Sequence, residues 1–357
     1  MRFNSDLLRV ARQVRGLSQT KLSVDSGLTQ GAISKMENGL SEPSEEVVQK
    51  LADTLQFPPS YFYQSFQPFG LPVSVHPMFR KKASVPVKEL EQLEAGLNLR
   101  LSHYQTLLRS VEIDRDLELP RLDLDDYDND PVAIASLVRR TWQIPRGPIK
   151  NLVQYVERAG CIVVHCDFEG VGVSGVTITL KGLPPFIFIN RNNPADRQRF
   201  TLAHELGHLV MHRLPTPDME READRFAGAL LLPPDQVAPY FMDGVTLPKL
   251  AALKPVWRVS MAALLIAANN LGYLTANQNQ WLWRQFSAKG YRTNEPPELN
   301  FEVEQPSVIR DIVQLHLGEY GYTEQELAFV LHAELSDLRR LHGLESEPPK
   351  VGLRIVK

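Results

Sequence analysis

A mostly apolar segment near the middle of the chain carries two histidines four residues apart, and this pattern constrains the fold most. The segment is RFTLAHELGHLVMH (199–212), which predicts a largely buried helix beginning near Pro194 and ending near His212. Residues four apart lie on one face of a helix, so His204 and His208 can reach the same metal ion. Burying two histidines and a glutamate without a metal or other partners would be costly. The pattern therefore predicts a metal site inside the core.

Glu205 follows the first histidine and completes an HExxH pattern. A zinc ion with an open coordination position lowers the pKa of bound water toward ~7. Glu205 is then close enough to take a proton from that water and to pass it to a leaving amine. The pattern predicts one zinc ion per chain and a zinc endopeptidase with Glu205 as its catalytic residue.

A zinc ion held by two histidines needs a third ligand, and the next predicted helix, 219–231, offers two glutamates. The face of Glu220 is predicted to point toward the core and is shared by Ala223, Asp224, Ala227 and Leu231. Glu222 points ~200° away, at ~100° per residue. We therefore predict Glu220 as the third metal ligand and keep Glu222 as the alternative. Asp224 is placed to hold a ligating histidine in one tautomer.

Three other polar residues receive weaker predictions. His212 lies eight residues from His204, which is ~12 Å of helical rise and too far to bind the same ion in an unbroken helix. We expect it to contact the ligands from behind or to face a substrate. His165 and Tyr240 are candidates for stabilising an oxyanion, although each is more often structural.

The segments around these residues match a known family. They are GPIKNLVQYVERAGCIVV, FIFINRNNPADRQRFTLAHELGHLVMH and EREADRFAGALLLP, in that order. They resemble the ImmA/IrrE metallopeptidases over about 130–275, and more loosely toward the C-terminus. The resemblance implies a minimal zincin-like fold with His204, His208 and Glu220 as ligands and Glu205 as the catalytic residue. It also implies a substrate, a helix-turn-helix repressor whose cleavage releases stress-response, prophage or mobile-element genes.

The first 64 residues predict a second kind of site, built from short helices. Ser18 and Thr29 are placed to cap the second and third helices, and Gly27 makes the turn between them. A third helix of this kind fits the major groove of DNA, where glutamine can read adenine and serine or lysine can contact phosphate or guanine. The residues predicted to contact DNA are Gln19, Thr29, Gln30, Gly31, Ser34 and Lys35.

Charge within this region is divided. Residues 1–36 hold six basic and two acidic side chains, a net of +4, whereas residues 37–64 hold one and five, a net of −4. The whole chain has a net charge of −3, so any DNA-binding surface must be local. The pattern SQTKLSVDSGLTQGAISKMENG resembles the Xre, phage-repressor-like family over about 5–64, which implies an all-α, lambda-repressor-like domain that binds double-stranded DNA. Two-fold operators would favour a homodimer. The alternative is a helical module that binds only protein.

The remaining patterns predict a multidomain α+β protein. Runs of β-branched and aromatic residues, CIVVHCDF, VTITL and FIFIN, predict a small antiparallel sheet, and WLWRQF and NFEVEQ predict two more strands. The predicted domains are a helix-turn-helix domain at 1–66, a linker with a helix and an acidic connector at 67–129, a metallopeptidase domain at 130–275 and a C-terminal α+β region of unknown role at 276–357.

Cysteine usage and hydropathy restrict where such a chain works. The two cysteines, Cys161 and Cys166, exclude a disulfide-stapled secreted scaffold, and as residues five apart on a strand they predict buried free thiols. The longest apolar stretch, VSMAALLIAA (259–268), is about half of a membrane span and favours core packing. The N-terminus has no signal-peptide core. We predict a soluble, cytoplasmic protein with no membrane partner.

Two functions agree with these observations. The first is a zinc endopeptidase that its helix-turn-helix module brings to operator DNA or to a repressor. The alternative is a DNA-binding transcriptional regulator whose zincin domain serves mainly as a sensor or oligomerisation unit. A third idea is that the peptidase cuts its own chain within 65–130, where proline-rich and acidic connectors would be accessible.

Overall fold

The computed structural model describes residues 2–70, 86–168, 170 and 172–344. These residues form sixteen α-helices and three β-strands. In chain order, the helices are α1 Ser5–Val14, α2 Gln19–Ser26, α3 Gln30–Glu37, α4 Glu45–Leu55, α5 Val87–Leu107, α6 Pro131–Thr141, α7 Leu152–Arg158, α8 Ala195–Met211, α9 Met219–Leu231, α10 Pro234–Val237, α11 Leu247–Trp257, α12 Met261–Asn270, α13 Ala276–Ala288, α14 Val308–Gly318, α15 Glu324–Val330 and α16 Leu335–His342. The strands are β1 Ile162–Cys166, β2 Gly175–Ile178 and β3 Phe186–Asn190.

The described residues divide into two compact units. The boundaries of these units differ from the domain boundaries predicted from the sequence. The first unit contains the described residues of 1–71, 84–112 and 308–357, and the second contains the remainder. The helix-turn-helix region therefore shares a unit with α5 and with the three C-terminal helices. The predicted domain boundaries at 66, 129 and 275 stay predictions. The predicted proline-rich linker at 67–79 lies largely outside the described residues.

The N-terminal helices begin at the predicted caps. The hydroxyl of Ser18 accepts a hydrogen bond from the N–H of Lys21, and that of Thr29 accepts one from the N–H of Ala32. Gly27 ends α2 with a φ of +70°, in the left-handed region that glycine adopts without strain. These local signals explain why α2 and α3 have the lengths that the sequence predicts.

Helix packing and an ion pair between the two ends of the chain help to hold the first unit together. α5 packs along α1, and most of its leucines are buried. Arg15, which follows α1, donates to the carboxylate of Asp337 on α16 at 2.6 Å and lies over the ring of Phe57. The side chain of Asp337 is only 5% exposed, so this bond links the N-terminal helices to the C-terminal helices inside a shared core.

The sheet of the second unit has the order β1–β3–β2. β2 pairs antiparallel with β3 as predicted, but β1 pairs parallel with β3, with Ile162 opposite Phe186. The prediction of a wholly antiparallel sheet is therefore wrong. The β2–β3 hairpin reverses the chain and places β3 between its two neighbours, so β3 runs in the same direction as β1. All five residues of β3 are buried, as suits an unbroken apolar run in a central strand.

The acidic connector, residues 112–130, is irregular apart from a short 3₁₀ turn at Leu124–Tyr127. It is not merely solvated. Leu124 is buried in the core of the second unit, and the carbonyl of Glu118 accepts a hydrogen bond from the indole of Trp142. The leucines between the acidic residues therefore attach the segment to the core.

The two strands predicted in the C-terminal region are wrong. WLWRQF lies inside α13, which begins at a capping box formed by Thr275 and Gln278. Leu282 and Phe286, four residues apart, are the buried face of that helix. NFEVEQ is irregular, and the carboxylate of Glu304 within it accepts hydrogen bonds from backbone N–H groups at the start of α7. Up to residue 344, the described chain contains no strand after β3.

Two other predictions can be compared with the structure. Cys161 and Cys166 are buried free thiols, as predicted. α12 buries Met261, Leu264 and Leu265 in the core, also as predicted. Within the described residues, no single helix combines the length and apolar character needed to cross a membrane, although α11 and α12, bent by 107° at their junction, satisfy those two criteria as a pair.

Two buried histidines face each other in the first unit. Nδ1 of His103 on α5 lies 3.1 Å from Nε2 of His342 on α16. Burial lowers the pKa of His103 to about 4 and also lowers the pKa of His342. Both side chains therefore resist protonation in the folded chain at pH values where the unfolded chain accepts protons.

We expect the free energy of unfolding to be highest above pH ~6.5 and to fall as the pH drops toward about 4, the pKa of folded His103. In that interval the unfolded chain binds more protons than the folded chain, at a cost on the order of 3 kcal/mol for one such group. His103→Leu should therefore give a shallower dependence of stability on pH than the unmodified chain. Calorimetry from pH 7.5 to 4.5 measures this difference, and parallel curves for the two proteins would contradict the expectation.

Candidate metal centre and helix-turn-helix surface

Two packed helices bring together three side chains that could hold a metal ion. His204 and His208 lie on α8, and Glu220 lies in the first turn of α9. One potential ligand atom from each residue lies within 4.8 Å of the other two. The two Nε2 atoms are 3.0 Å apart, and they lie 3.4 and 3.5 Å from the two carboxylate oxygens of Glu220. These are the three residues that the sequence predicts as ligands.

The outer nitrogen of each histidine is engaged by a group outside the cluster. Nδ1 of His204 lies 2.9 Å from a carboxylate oxygen of Asp224, so it donates and leaves a lone pair on Nε2. Nδ1 of His208 is likewise engaged, at 2.9 Å from Nδ1 of His212. Among the described residues, the buried Oε1 of Glu220 has no hydrogen-bond partner. Two imidazole nitrogens and a carboxylate that converge on one point are ligands that zinc prefers. The three residues therefore fit a zinc ion.

Asp224 differs from its prediction in one respect. It bonds His204 as expected, but 60% of its side chain is exposed, so it does not face the core. Its bond to the histidine is therefore open to solvent on one side.

The pKa values of His204 and His208 are shifted in opposite directions. Burial alone would lower the pKa of both. At His204, the hydrogen bonds to Asp224 and Glu220 outweigh burial and raise the pKa. At His208, burial and the charge on His204 lower the pKa. The carboxylates that hold a proton on His204 would also attract a divalent cation to the same place.

Glu205 lies between α8 and the edge of the sheet. Its carboxylate is buried and accepts a hydrogen bond from the hydroxyl of Thr177 on β2 at 2.7 Å. Burial raises the pKa of Glu205, while the charge of His204 and the Thr177 bond act in the opposite direction. A carboxylate with a raised pKa beside a cluster of potential metal ligands is suited to accepting and returning a proton.

Gly175 allows β2 to approach α8. A Cβ at this position would lie 2.5 Å from a methyl group of Thr201 and 3.3 Å from Cγ of Glu205. Gly175 and Thr177 are two residues apart and so share a face of the strand. Sequence reasoning missed both, because nothing in the chain marks which face of β2 meets the helix.

The other predicted polar residues lie outside the cluster of three. Nε2 of His212 lies 3.1 Å from Oε2 of Glu222, so Glu222 faces His212 instead of forming part of the cluster. His165 lies on β1, where burial lowers its pKa to about 4. Tyr240 packs its ring against Trp257. An oxyanion role for either His165 or Tyr240 stays a prediction.

The predicted DNA-contacting residues lie on and before α3. Gln30, Gly31 and Lys35 are exposed, Ser34 is partly exposed, and Thr29 caps the helix. The opposite face of α3 buries Ile33 and Met36 in the core. The predicted outward and inward residues of this helix are therefore separated as the sequence indicates.

A chain of hydrogen bonds orients Gln30. Its amide donates to Oε1 of Gln19 at 2.9 Å, and the amide of Gln19 donates to Oε2 of Glu37 at 2.8 Å. Glu37 is buried and also accepts two hydrogen bonds from Arg12. Sequence reasoning identified Gln19 and Gln30 but missed the buried Arg12–Glu37 pair that supports them.

Comparison with known families finds two separate matches, one for each of the two candidate sites. Residues 8–62 match the family model described as helix-turn-helix, and residues 156–269 match the peptidase M78 model described as an IrrE N-terminal-like domain. No curated protein matches the chain. The first match contains the surface of α3, and the second contains His204, Glu205, His208 and Glu220. The chain therefore carries a helix-turn-helix region of Xre-like type, followed by a region similar to the IrrE N-terminal-like domain of the peptidase M78 family.

Proposed function

We propose that this protein is a zinc-dependent endopeptidase whose helix-turn-helix domain binds double-stranded DNA. Its substrate in this proposal is a helix-turn-helix transcriptional repressor, and cleavage releases stress, prophage or mobile-element genes. The observation that carries the proposal is the convergence of Nε2 of His204, Nε2 of His208 and the carboxylate of Glu220 beside the buried carboxylate of Glu205. The match to the peptidase M78 model supports the reaction type.

Each residue of the site has a separate task in this proposal. His204, His208 and Glu220 hold the zinc ion, and Asp224 fixes the tautomer of His204. When bound, the ion supplies Lewis-acid activation of water and of the scissile carbonyl. Glu205 accepts a proton from the attacking water and returns it to the amine that leaves. The hydroxyl of Thr177 holds one oxygen of Glu205 in place.

The edge strand offers a place for an extended substrate. Among the described strands, β2 pairs only with β3, so its other edge can accept main-chain hydrogen bonds. The bond between Thr177 and Glu205 shows that this strand lies beside the carboxylate. A peptide added to the edge of β2 would therefore pass close to Glu205 and the metal ligands.

A second candidate function is a DNA-binding transcriptional regulator whose zincin domain is mainly a sensor or oligomerisation unit. The ordered polar surface of α3, with Gln30 held through Gln19 and Glu37, supports this candidate. Two-fold operators would pair two copies of the chain as a homodimer. We favour the endopeptidase because a domain with only a structural role needs no buried carboxylate at the position of Glu205.

Metal content tests the ligand assignment. We expect one zinc ion per unmodified chain, and we expect Glu220→Gln to lose zinc on dialysis because a neutral carboxamide replaces the only anionic ligand. Glu222→Gln should keep most of its zinc, since Glu222 is bonded to His212. Elemental analysis of the three purified proteins gives the result, and equal loss of zinc from both variants would overturn the assignment of Glu220.

New protein N-termini in cells test the reaction and identify the substrate. Cells expressing the unmodified chain or Glu205→Gln are compared with and without DNA damage. We expect new termini only with the unmodified chain, within a helix-turn-helix repressor, because loss of a general base typically reduces the rate ~100-fold or more. Zinc content of Glu205→Gln serves as the control and should match that of the unmodified chain.

The same comparison separates the alternatives. New termini within residues 65–130 of the chain itself would indicate self-cleavage, which an intact mass confirms or excludes. Absence of new termini under every condition would overturn the endopeptidase proposal and favour the regulator.

Binding to an operator obtained by in vitro selection tests the helix-turn-helix surface. We expect Gln30→Ala to weaken binding to that operator by ~1–3 kcal/mol with little change in the salt dependence, since it removes a base contact. Lys35→Ala should reduce the salt slope if it contacts phosphate. Fluorescence anisotropy at several salt concentrations measures both. Operator binding that is indifferent to both substitutions would contradict DNA reading by α3.

A further inference from the structure

His212 occupies a position that the catalytic proposal does not use. It directly follows the last residue of α8 and has extended backbone angles, with φ −109° and ψ 108°. The helix has therefore ended before the histidine. Its imidazole contacts His208, with 2.9 Å between the two Nδ1 atoms, and also reaches Glu222 on the neighbouring helix α9, at 3.1 Å.

The carboxylate of Glu222 ends this series of hydrogen bonds, and it fixes which atom donates in each of them. A carboxylate oxygen accepts hydrogen bonds, so the N–H at Nε2 of His212 donates to Glu222. Neutral His212 then presents a lone pair at Nδ1, which accepts the N–H of Nδ1 on His208. His208 is left with its lone pair on Nε2, the atom that lies 3.0 Å from Nε2 of His204. The direction of these bonds therefore selects the tautomer of His208 that can bind a metal ion.

We propose that His212 and Glu222 form a relay that positions His208 for metal binding. This inference rests on the zinc centre proposed above. Asp224 performs the same task for His204 through a single bond. On the His208 side, an interposed imidazole connects the ligand to the carboxylate.

Burial distinguishes the two sides of the site. The side chains of His212 and Glu222 are 4% and 18% exposed, whereas that of Asp224 is 60% exposed. Hydrogen bonds between shielded groups compete less with water than exposed ones. The relay should therefore restrain His208 more firmly than Asp224 restrains His204.

The relay also accounts for the two glutamates of α9. Glu220 and Glu222 project ~200° apart on a helix, so they cannot both approach one ion. The extended backbone at His212 lets its side chain meet Glu222 while Glu220 faces the ligand nitrogens. Glu220 binds the ion directly in this arrangement, and Glu222 acts through His212 and His208.

Zinc affinity, measured by competition with a chromogenic chelator, tests the relay without relying on activity. His212→Phe keeps an aromatic ring of similar size but can neither accept nor donate these hydrogen bonds, so it should weaken zinc binding by ~10–100-fold. His212→Asn offers an amide oxygen near the position of Nδ1 and should restore much of the affinity. Glu222→Leu should weaken binding, and Glu222→Gln, which keeps an acceptor, should do so much less.

A double-mutant cycle shows whether the two residues act in series. If Glu222 acts through His212, adding Glu222→Leu to His212→Phe should cause little additional loss of affinity. The control is Arg221→Leu, which places leucine at an exposed position on the same helix and should bind zinc like the unmodified chain. Circular dichroism of the metal-free proteins checks that each variant is folded.

The outcomes separate this inference from the proposal beneath it. If the unmodified chain binds zinc, Glu220→Gln does not, and His212→Phe binds as tightly as the unmodified chain, the relay is overturned and the metal centre stands. If His212→Phe and His212→Asn lose affinity equally, a structural role replaces the relay. Failure of the unmodified chain to bind zinc would overturn both proposals.

Discussion

The close packing of α8 against α9 is the constraint on which the candidate site depends. Gly207 lies at this contact, where a Cβ would be 3.0 Å from the ring of Phe226 and 3.4 Å from Cα of Ala223. A larger residue at position 207 would therefore require the ring of Phe226 or the two helices to shift by a few tenths of an ångström. Because the histidines lie on one helix and Glu220 on the other, their convergence requires this distance. The glycine is thus part of the metal-site geometry although it offers no ligand atom.

The site consists of an inner set of acceptors and an outer set of hydrogen-bonding groups. The inner set is His204, His208 and Glu220, whose facing nitrogen and oxygen atoms lie 3.0–3.5 Å apart. The outer set holds the two histidines from behind, with Asp224 at His204 and His212 at His208. Buried acceptors that face one another repel unless a cation lies between them, so the outer bonds must hold them against that repulsion.

In the helix-turn-helix region, too, exposed side chains are hydrogen-bonded to buried groups. Its outward glutamines are linked to the buried Arg12–Glu37 pair, which makes the exposed surface an extension of the core. The region also shares its compact unit with α5 and the C-terminal helices, through contacts that include the bond from Arg15 to Asp337. The C-terminal residues therefore contribute to the unit that carries the DNA-contacting candidates, a role that their sequence does not suggest.

Local spacing in the sequence was enough to predict several of the helices and the three residues that the structure brings together as possible metal ligands. The i, i+4 histidines, the capping residues Ser18 and Thr29, and the position of Glu220 on its helix depend only on helical geometry, which is the same in every protein. Tertiary structure decided the pairing of β1 with β3, the approach of Gly175 and Thr177 to Glu205, and the contact of Glu222 with His212. It also decided that WLWRQF is helical, since short apolar runs suit either element until their packing partners are known. These features depend on which surfaces meet across distant parts of the chain, and residue periodicity carries no information about that.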